Sequence, residues 1–468
     1  MRKFWIVLLA MAFVAGFAMS ASAADVKFSG SYYLAGTYAD NHSLGDKTLA
    51  TAQASYFQRL RVQTEFKVAE GLSLVTRFDA LEKKWGQGTT ADAWRASNSY
   101  DVTNRSSLGT AGNRTQENIE FERAYLDFTT KIGRFHIGYQ NFVAWGTMFL
   151  DTHITRPGIK YFVPVGPLTV IAAVEKIVDM NTGAGVQTDR DGDIYDLAAV
   201  YKFGAGEAGL LYQFNNNRSN RSQTDANSFT TKLHAFAPYA KMKFGPVYVE
   251  AEAIYGMGDL RKYDTAVGQD KTAEAMALYL HGKADLGPAY VGGQFIYIRG
   301  DDPSTTDKIE GSLAAALLAG DAFNPCLILW SGEYTTWVAS PLQGNALGTN
   351  QWTGKSNGVD TYMDNVWFYQ VYAGFKPVAK ADIMLSLTYA YADKKPTLTG
   401  AAPAAGTQFL NDAYGTEVDL VAKYKLFDNL EYMLGASYLF TGDYFKGVNA
   451  NFKTENNYLL MHKLTLNF

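Results

Sequence analysis

From Val26 onward the chain alternates apolar and polar positions in stretches of roughly ten residues, the two-faced pattern of a strand that meets lipid on one side and water on the other. In the first stretch Val26, Phe28, Tyr32, Leu34 and Tyr38 share a face with Gly30 and Gly36, while Lys27, Ser29, Ser31 and Thr37 occupy the other. In the second, Tyr56, Leu60, Val62, Phe66 and Val68 alternate with Arg59, Arg61, Gln63, Glu65 and Lys67. That second set is too charged for hydrocarbon and is assigned to an aqueous interior. The period persists to the far end: Ile383, Leu385, Leu387, Tyr389 and Tyr391 alternate with Asp382, Ser386 and Thr388, and Tyr432, Leu434, Ala436, Tyr438 and Phe440 with Glu431, Gly435 and Ser437.

The connections alternate between short and long. Tight turns are expected at Glu70-Gly71, Ile132-Gly133, Gly166-Pro167, Gly204 to Gly206, Gly245-Pro246, Gly287-Pro288, Lys376 to Lys380 and Asp428-Asn429. In three of these a Gly-Pro pair ends the strand, because Pro has no N–H to give the ladder and Gly accepts the turn conformation. Longer loops are expected near residues 39–54, 84–116, 141–155, 180–190, 215–228, 258–270, 300–361, 393–412 and 442–454. These connections join about 18 strands, 16 being the other even count that the boundaries allow. The predicted fold is all-β, a transmembrane antiparallel up-and-down barrel with both termini on the periplasmic side, wide enough for an aqueous channel.

The N-terminus changes the picture only by locating the protein. Arg2 and Lys3 precede the apolar run Phe4 to Phe17 and the small-residue box Ser20-Ala21-Ser22-Ala23, which together read as a secretory signal peptide, residues 1–23. The expected domains are that signal and one barrel over residues 24–468 with a long outer loop at 300–361. The expected location is the outer membrane of a Gram-negative bacterium, against lipid and lipopolysaccharide. Composition agrees: 30 Tyr, 28 Phe and 8 Trp suit aromatic girdles, and 43 Gly stand against 12 Pro. The single Cys, Cys326, excludes an internal disulfide framework. With 42 basic against 46 acidic residues, charge gives no footprint of nucleic-acid binding. The last strand, Tyr458 to Phe468, alternates and ends in Phe, as does the terminal signal by which outer-membrane assembly machinery recognises its clients.

Chemistry-bearing residues concentrate on the inward registers. Arg59, Arg61, Lys67, Arg77 and Arg123 face in with Glu65, Asp79 and Asp127, and later Glu250 and Glu252 face in with Lys241 and Lys243. Glu417 and Asp419 are placed likewise, near Lys423 and Lys425, and His136 and His281 are expected in the wall. Such charges either bias which solutes pass or pair among themselves. Asp189, Asp191 and Asp193 alternate around Gly192 as in a calcium loop, the only cofactor suggested, though no Glu closes the cage. No nucleophile elbow, zinc-protease or haem motif occurs, so an enzyme is not expected. Loop 300–361 contains helix-forming residues at Lys308 to Ala319, then Phe323, Leu327, Ile328, Leu329, Trp330 and Trp337. It is apolar enough to fold into the barrel mouth as a constriction, or to pack on itself or on a neighbouring subunit.

The stretch Tyr56 to Trp85, two arginine-bearing strands around Glu70-Gly71, and the stretch Phe121 to Asp151, with Tyr139-Gln140 and Trp145-Gly146, resemble porins of the alginate-export-like group. The resemblance implies a monomer lined by arginines, with Arg59, Arg61, Arg77 and Arg123 in that role; the inward carboxylates depart from a purely cationic conduit. The expected function is a water-filled channel for small hydrophilic or anionic solutes. The competing readings are a dedicated exporter of an anionic polysaccharide and a barrel sheath for a partner protein.

Overall fold

The computed structural model describes residues 25–41, 44, 52–85, 119–142, 144–151, 154–180, 189–221, 227–266, 268–311, 323–331, 363–397 and 407–468. The signal-peptide reading, most of loop 84–116 with Arg95, Arg105 and Arg114, the residues 312–319, and Trp337 lie outside them.

In chain order the strands are β1 (Asp25–Ala39), β2 (Gln53–Ala69), β3 (Leu72–Lys84), β4 (Glu120–Thr130), β5 (Gly133–Asn141), β6 (Thr155–Val165), β7 (Leu168–Val178), β8 (Gly192–Phe203) and β9 (Gly206–Asn217). They continue as β10 (Phe229–Phe244), β11 (Val247–Tyr263), β12 (Lys271–Leu286), β13 (Ala289–Ile298), β14 (Lys308–Ile309), β15 (Val366–Phe375), β16 (Ala381–Tyr391), β17 (Ala413–Phe427), β18 (Leu430–Thr441) and β19 (Asn457–Asn467). Each long strand pairs antiparallel with its sequence neighbours, β13 passing over β14 to β15. The ring closes where β1 meets β19, from Ser31 opposite Asn467 to Ala39 opposite Leu459. Phe468 extends this seam, its N–H and C=O bonding to Gly30 at 3.1 and 2.7 Å. The result is a closed barrel of 18 strands, as the alternation predicts.

All the expected tight turns fall between paired strands. Gly166, Gly245 and Gly287 hold φ of 59, 56 and 72°, values open to Gly at little cost, and the following Pro cannot extend the ladder. One expectation fails: Lys308 and Ile309 are not helical but form β14, parallel to Thr272 and Ala273 of β12. β13 pairs with β12 only over Ala277–Leu286, so the outer end of β12 has an unmatched edge, and β14 fills part of it.

The lipid face carries Phe28, Tyr56, Leu197, Leu385, Leu420, Leu434 and Phe440, all exposed on the isolated chain. The inner face differs between sectors. On β2 to β4 it is charged, whereas β10 and β12 present Leu233, Ala235 and Ala237, and Ala273, Ala275 and Ala277, all buried. Apolar residues on the inner wall need a cover, and two inturned segments provide it. Leu420→Arg at the lipid face is expected to destabilise the barrel by about 2–4 kcal/mol, measured by urea titration in bilayers; a change within error would place Leu420 off the hydrocarbon.

Candidate functional site

The first inturned segment follows β5. Thr147 donates its N–H and hydroxyl to Glu252 Oε2 at 2.9 and 2.6 Å, and Glu252 is 1% exposed. Gly146 permits this approach, since a Cβ there would lie 1.9 Å from Glu252 Oε1. Trp145 donates to the Ala237 carbonyl at 2.9 Å and packs edge-on against Tyr239, while Phe149 stacks on Tyr279 at 5.3 Å. The segment therefore lies along the inner faces of β10, β11 and β12.

The second segment is residues 323–331 of the long loop. Three successive amides, those of Leu327, Ile328 and Leu329, donate to the Glu417 carboxylate at 3.1, 2.7 and 2.8 Å, and Ser437 Oγ adds a fourth bond at 2.9 Å. Gln370 donates to the Pro325 carbonyl at 2.7 Å, and Trp330 sits edge-on to Phe368 and Tyr414. This part of the loop covers β15 to β18 from inside. The two segments touch: Phe323 meets both Phe149 and Tyr279 with ring centroids 5.6 Å apart. An aromatic bridge thus joins the two segments over Tyr279 on the inner face of β12.

The inner face of β2 to β7 carries the charges instead. Arg61 forms a bidentate pair with Asp79, both bonds 2.7 Å, and Arg61 and Arg77 both bind Glu122. Glu122 was not among the expected inward residues, because its place in the alternation points it at lipid. The register slips between Arg77 opposite Arg123 and Phe78 opposite Phe121, so Glu122 is the extra residue of a β-bulge and turns inward. Further round, Asp127 pairs with Arg134, Glu175 with Arg156 at 2.8 Å, and Glu207 with Lys241 at 2.9 Å.

The remaining inward candidates fall into place around these. Arg59 stands over the Tyr33 ring and reaches Glu82 only at 3.8 Å; Glu65 accepts from Ser73; Lys67 is at the exposed periplasmic end of β2. Glu250 accepts from Tyr248 and Tyr279 at 2.7 and 2.9 Å and meets His281 Nδ1 at 3.0 Å, while His281 Nε2 meets Tyr372. His136 lies 3.5 Å from Asp127. Asp189 pairs with Arg218, and Asp191 and Asp193 share Lys176, so their charge is met by side chains. The reading of Glu252, Glu417 and Asp419 as a charged wall beside lysines is corrected: all three are at most 2% exposed, beneath the inturned segments.

Two cations stand apart. Arg123, facing inward on β4, makes no ion pair or side-chain hydrogen bond among the described residues, and its Nε has no partner. Among the described residues, Lys160 on β6 bonds only the Asn141 carbonyl, at 2.6 Å, and stands over the Phe142 ring. A closed, polar-lined barrel narrowed by inturned loops is a channel.

Residues 7–459 match the Gram-negative porin family. The chain belongs to that family. The porin resembles solved structures from Pseudomonas aeruginosa: OccK8 (OprE), at 10% identity and TM-score 0.50 over 95% of this chain and 98% of that one, and OccK2 (OpdF), at 11% identity and TM-score 0.50 over 95% and 98%. At such identities the likeness is one of fold. No curated protein sequence matches the chain. The porin is an outer-membrane β-barrel forming a channel for small solutes.

Glu252→Ala leaves two donors of Thr147 without an acceptor, at about 1–3 kcal/mol for a stranded buried group. The first segment is expected to loosen and single-channel conductance to rise; unchanged conductance would show that the segment does not narrow the path.

Proposed function

We propose that the porin conducts small anionic solutes in preference to cations, along the wall formed by β2 to β6. The observation that carries this reading is the imbalance of unpaired charge. Asp79, Glu122, Asp127, Glu175 and Glu207 are each held by Arg or Lys, and Glu250, Glu252 and Glu417 by hydroxyl, imidazole or amide donors. Arg123 and Lys160 have no carboxylate partner among the described residues, and Arg59 has only a distant one. On β4 and β6 two cations therefore face the lumen with no carboxylate at ion-pair distance among the described residues. Family membership favours a channel for small solutes over a polysaccharide exporter or a sheath for another protein. The conduit is passive, with no chemical step.

A unit charge 4 Å from a solute ion in water is worth about 1 kcal/mol. Reversing it by Arg123→Glu is expected to change the anion-to-cation permeability ratio several-fold toward cations. Reversal potentials in a planar bilayer under a salt gradient measure this; a wild-type channel that prefers cations would refute the reading.

We also propose that the Phe468 side chain is read by the assembly machinery. Phe468→Ala keeps the backbone pairing with Gly30, so a fall in folded barrel in the envelope would isolate the side chain. Unchanged yield would remove it from recognition.

A further inference from the structure

The sulfur of Cys326 and one carboxylate oxygen each from Glu417 and Asp419 lie within 4.8 Å of one another, under the second inturned segment. All three residues are buried, at 4%, 0% and 2% exposure. Neither carboxylate makes an ion pair among the described residues. Buried charges are normally paired or bound to a metal, because desolvating them alone is costly.

The hydrogen bonds show where capacity remains. Glu417 Oε1 is filled by Leu327, Ile328 and Ser437, but among the described residues Oε2 accepts only from Leu329. Asp419 Oδ2 accepts from Ser386 at 3.3 Å, whereas Asp419 Oδ1, wholly buried, has no partner. The Cys326 sulfur has only long contacts, 3.5 Å to Thr388 Oγ1 and 3.8 Å to Gln370 Nε2. Each of the three clustered residues therefore keeps an atom with bonding capacity to spare, and the donors to Glu417 fix the orientation of its carboxylate.

We propose that Cys326, Glu417 and Asp419 bind one borderline-soft divalent cation, with zinc the best match, and that the ion clamps residues 323–331 onto β17. Sulfur beside two oxygens disfavours calcium and magnesium, which take oxygen cages, and suits zinc, whose bonds of about 2.0–2.3 Å need only a modest contraction of the cluster. A fourth position is left for water. Binding exchanges the thiol proton for the metal: the S–H bond breaks, the proton leaves to solvent, and the sulfur lone pair forms the bond to the cation. The ion would fix one half of the aromatic bridge, since Phe323 lies three residues before Cys326.

The test is a cobalt(II) titration of the purified full-length barrel in detergent. One equivalent is expected to give a thiolate-to-cobalt absorption band, which zinc then abolishes; with a single Cys in the chain, such a band can come only from Cys326. Cys326→Ser should lose the band, Asp419→Asn should weaken binding by more than about tenfold, and zinc should raise the melting temperature of the wild type but not of Cys326→Ser. Should either variant fail to fold, the wild-type band decides alone. Absence of the band, or equal stabilisation by zinc in wild type and Cys326→Ser, would overturn the site and leave the two carboxylates sharing a proton.

Discussion

Closure of the sheet is the constraint on which everything else depends. In hydrocarbon no water is available to an unpaired N–H or C=O, so a strand can cross only if both its edges are paired. Eighteen strands in a ring meet that demand, and the last edge is met by β1 against β19, continued to Gly30 and Phe468. Once the ring is closed, every side chain must point either to lipid or to the lumen, and the alternation of the sequence follows. The same demand explains β14, a two-residue strand that pairs with the outer end of β12 where β13 has stopped.

A ring this wide cannot fill itself with side chains from the wall. The chain returns two loop segments to the interior, and these bring the backbone problem with them, because amides carried into a dry contact still need acceptors. Glu252 and Glu417 are the acceptors. Each is a wall residue whose carboxylate reaches into a turn of the inturned segment, so one side chain satisfies several donors at once and fixes the segment's position. The apolar side chains of those segments then cover Ala273, Ala275, Ala277, Ile254, Ile296 and Phe368, none of which belongs on a wetted wall.

Much of this was legible in the sequence because it depends on short-range pattern. The Gly-Pro turns, the alternating registers and the terminal Phe468 are all set by neighbouring residues. What was not legible depends on residues far apart or on a slip in register. Glu122 faces inward only because β4 carries one residue more than β3 there, and alternation assumes no such excess. Glu252 and Glu417 looked like wall charges because their partners are 105 and 89 residues away. One signal did point to them: the inward positions of β12 are Ala273, Ala275 and Ala277, apolar where a wetted wall would be polar, which implies a covered inner wall. The helix-forming reading rested on propensity alone, and at Lys308 and Ile309 an open strand edge outweighed it.

The division of the lumen into two sectors gives the charges their meaning. Over β10 to β12 and β15 to β18 the inturned segments exclude water and bury carboxylates as anchors, so those charges act on structure and contribute little field to the path. Over β2 to β7 most acids and bases cancel in pairs whose geometry, bidentate in Arg61 with Asp79, holds them against the sheet. A solute passing along this side therefore meets not the sum of the inward residues but the remainder left after pairing. On that wall Arg123 and Lys160 make no ion pair among the described residues, and the proposed anion preference rests on these two cations.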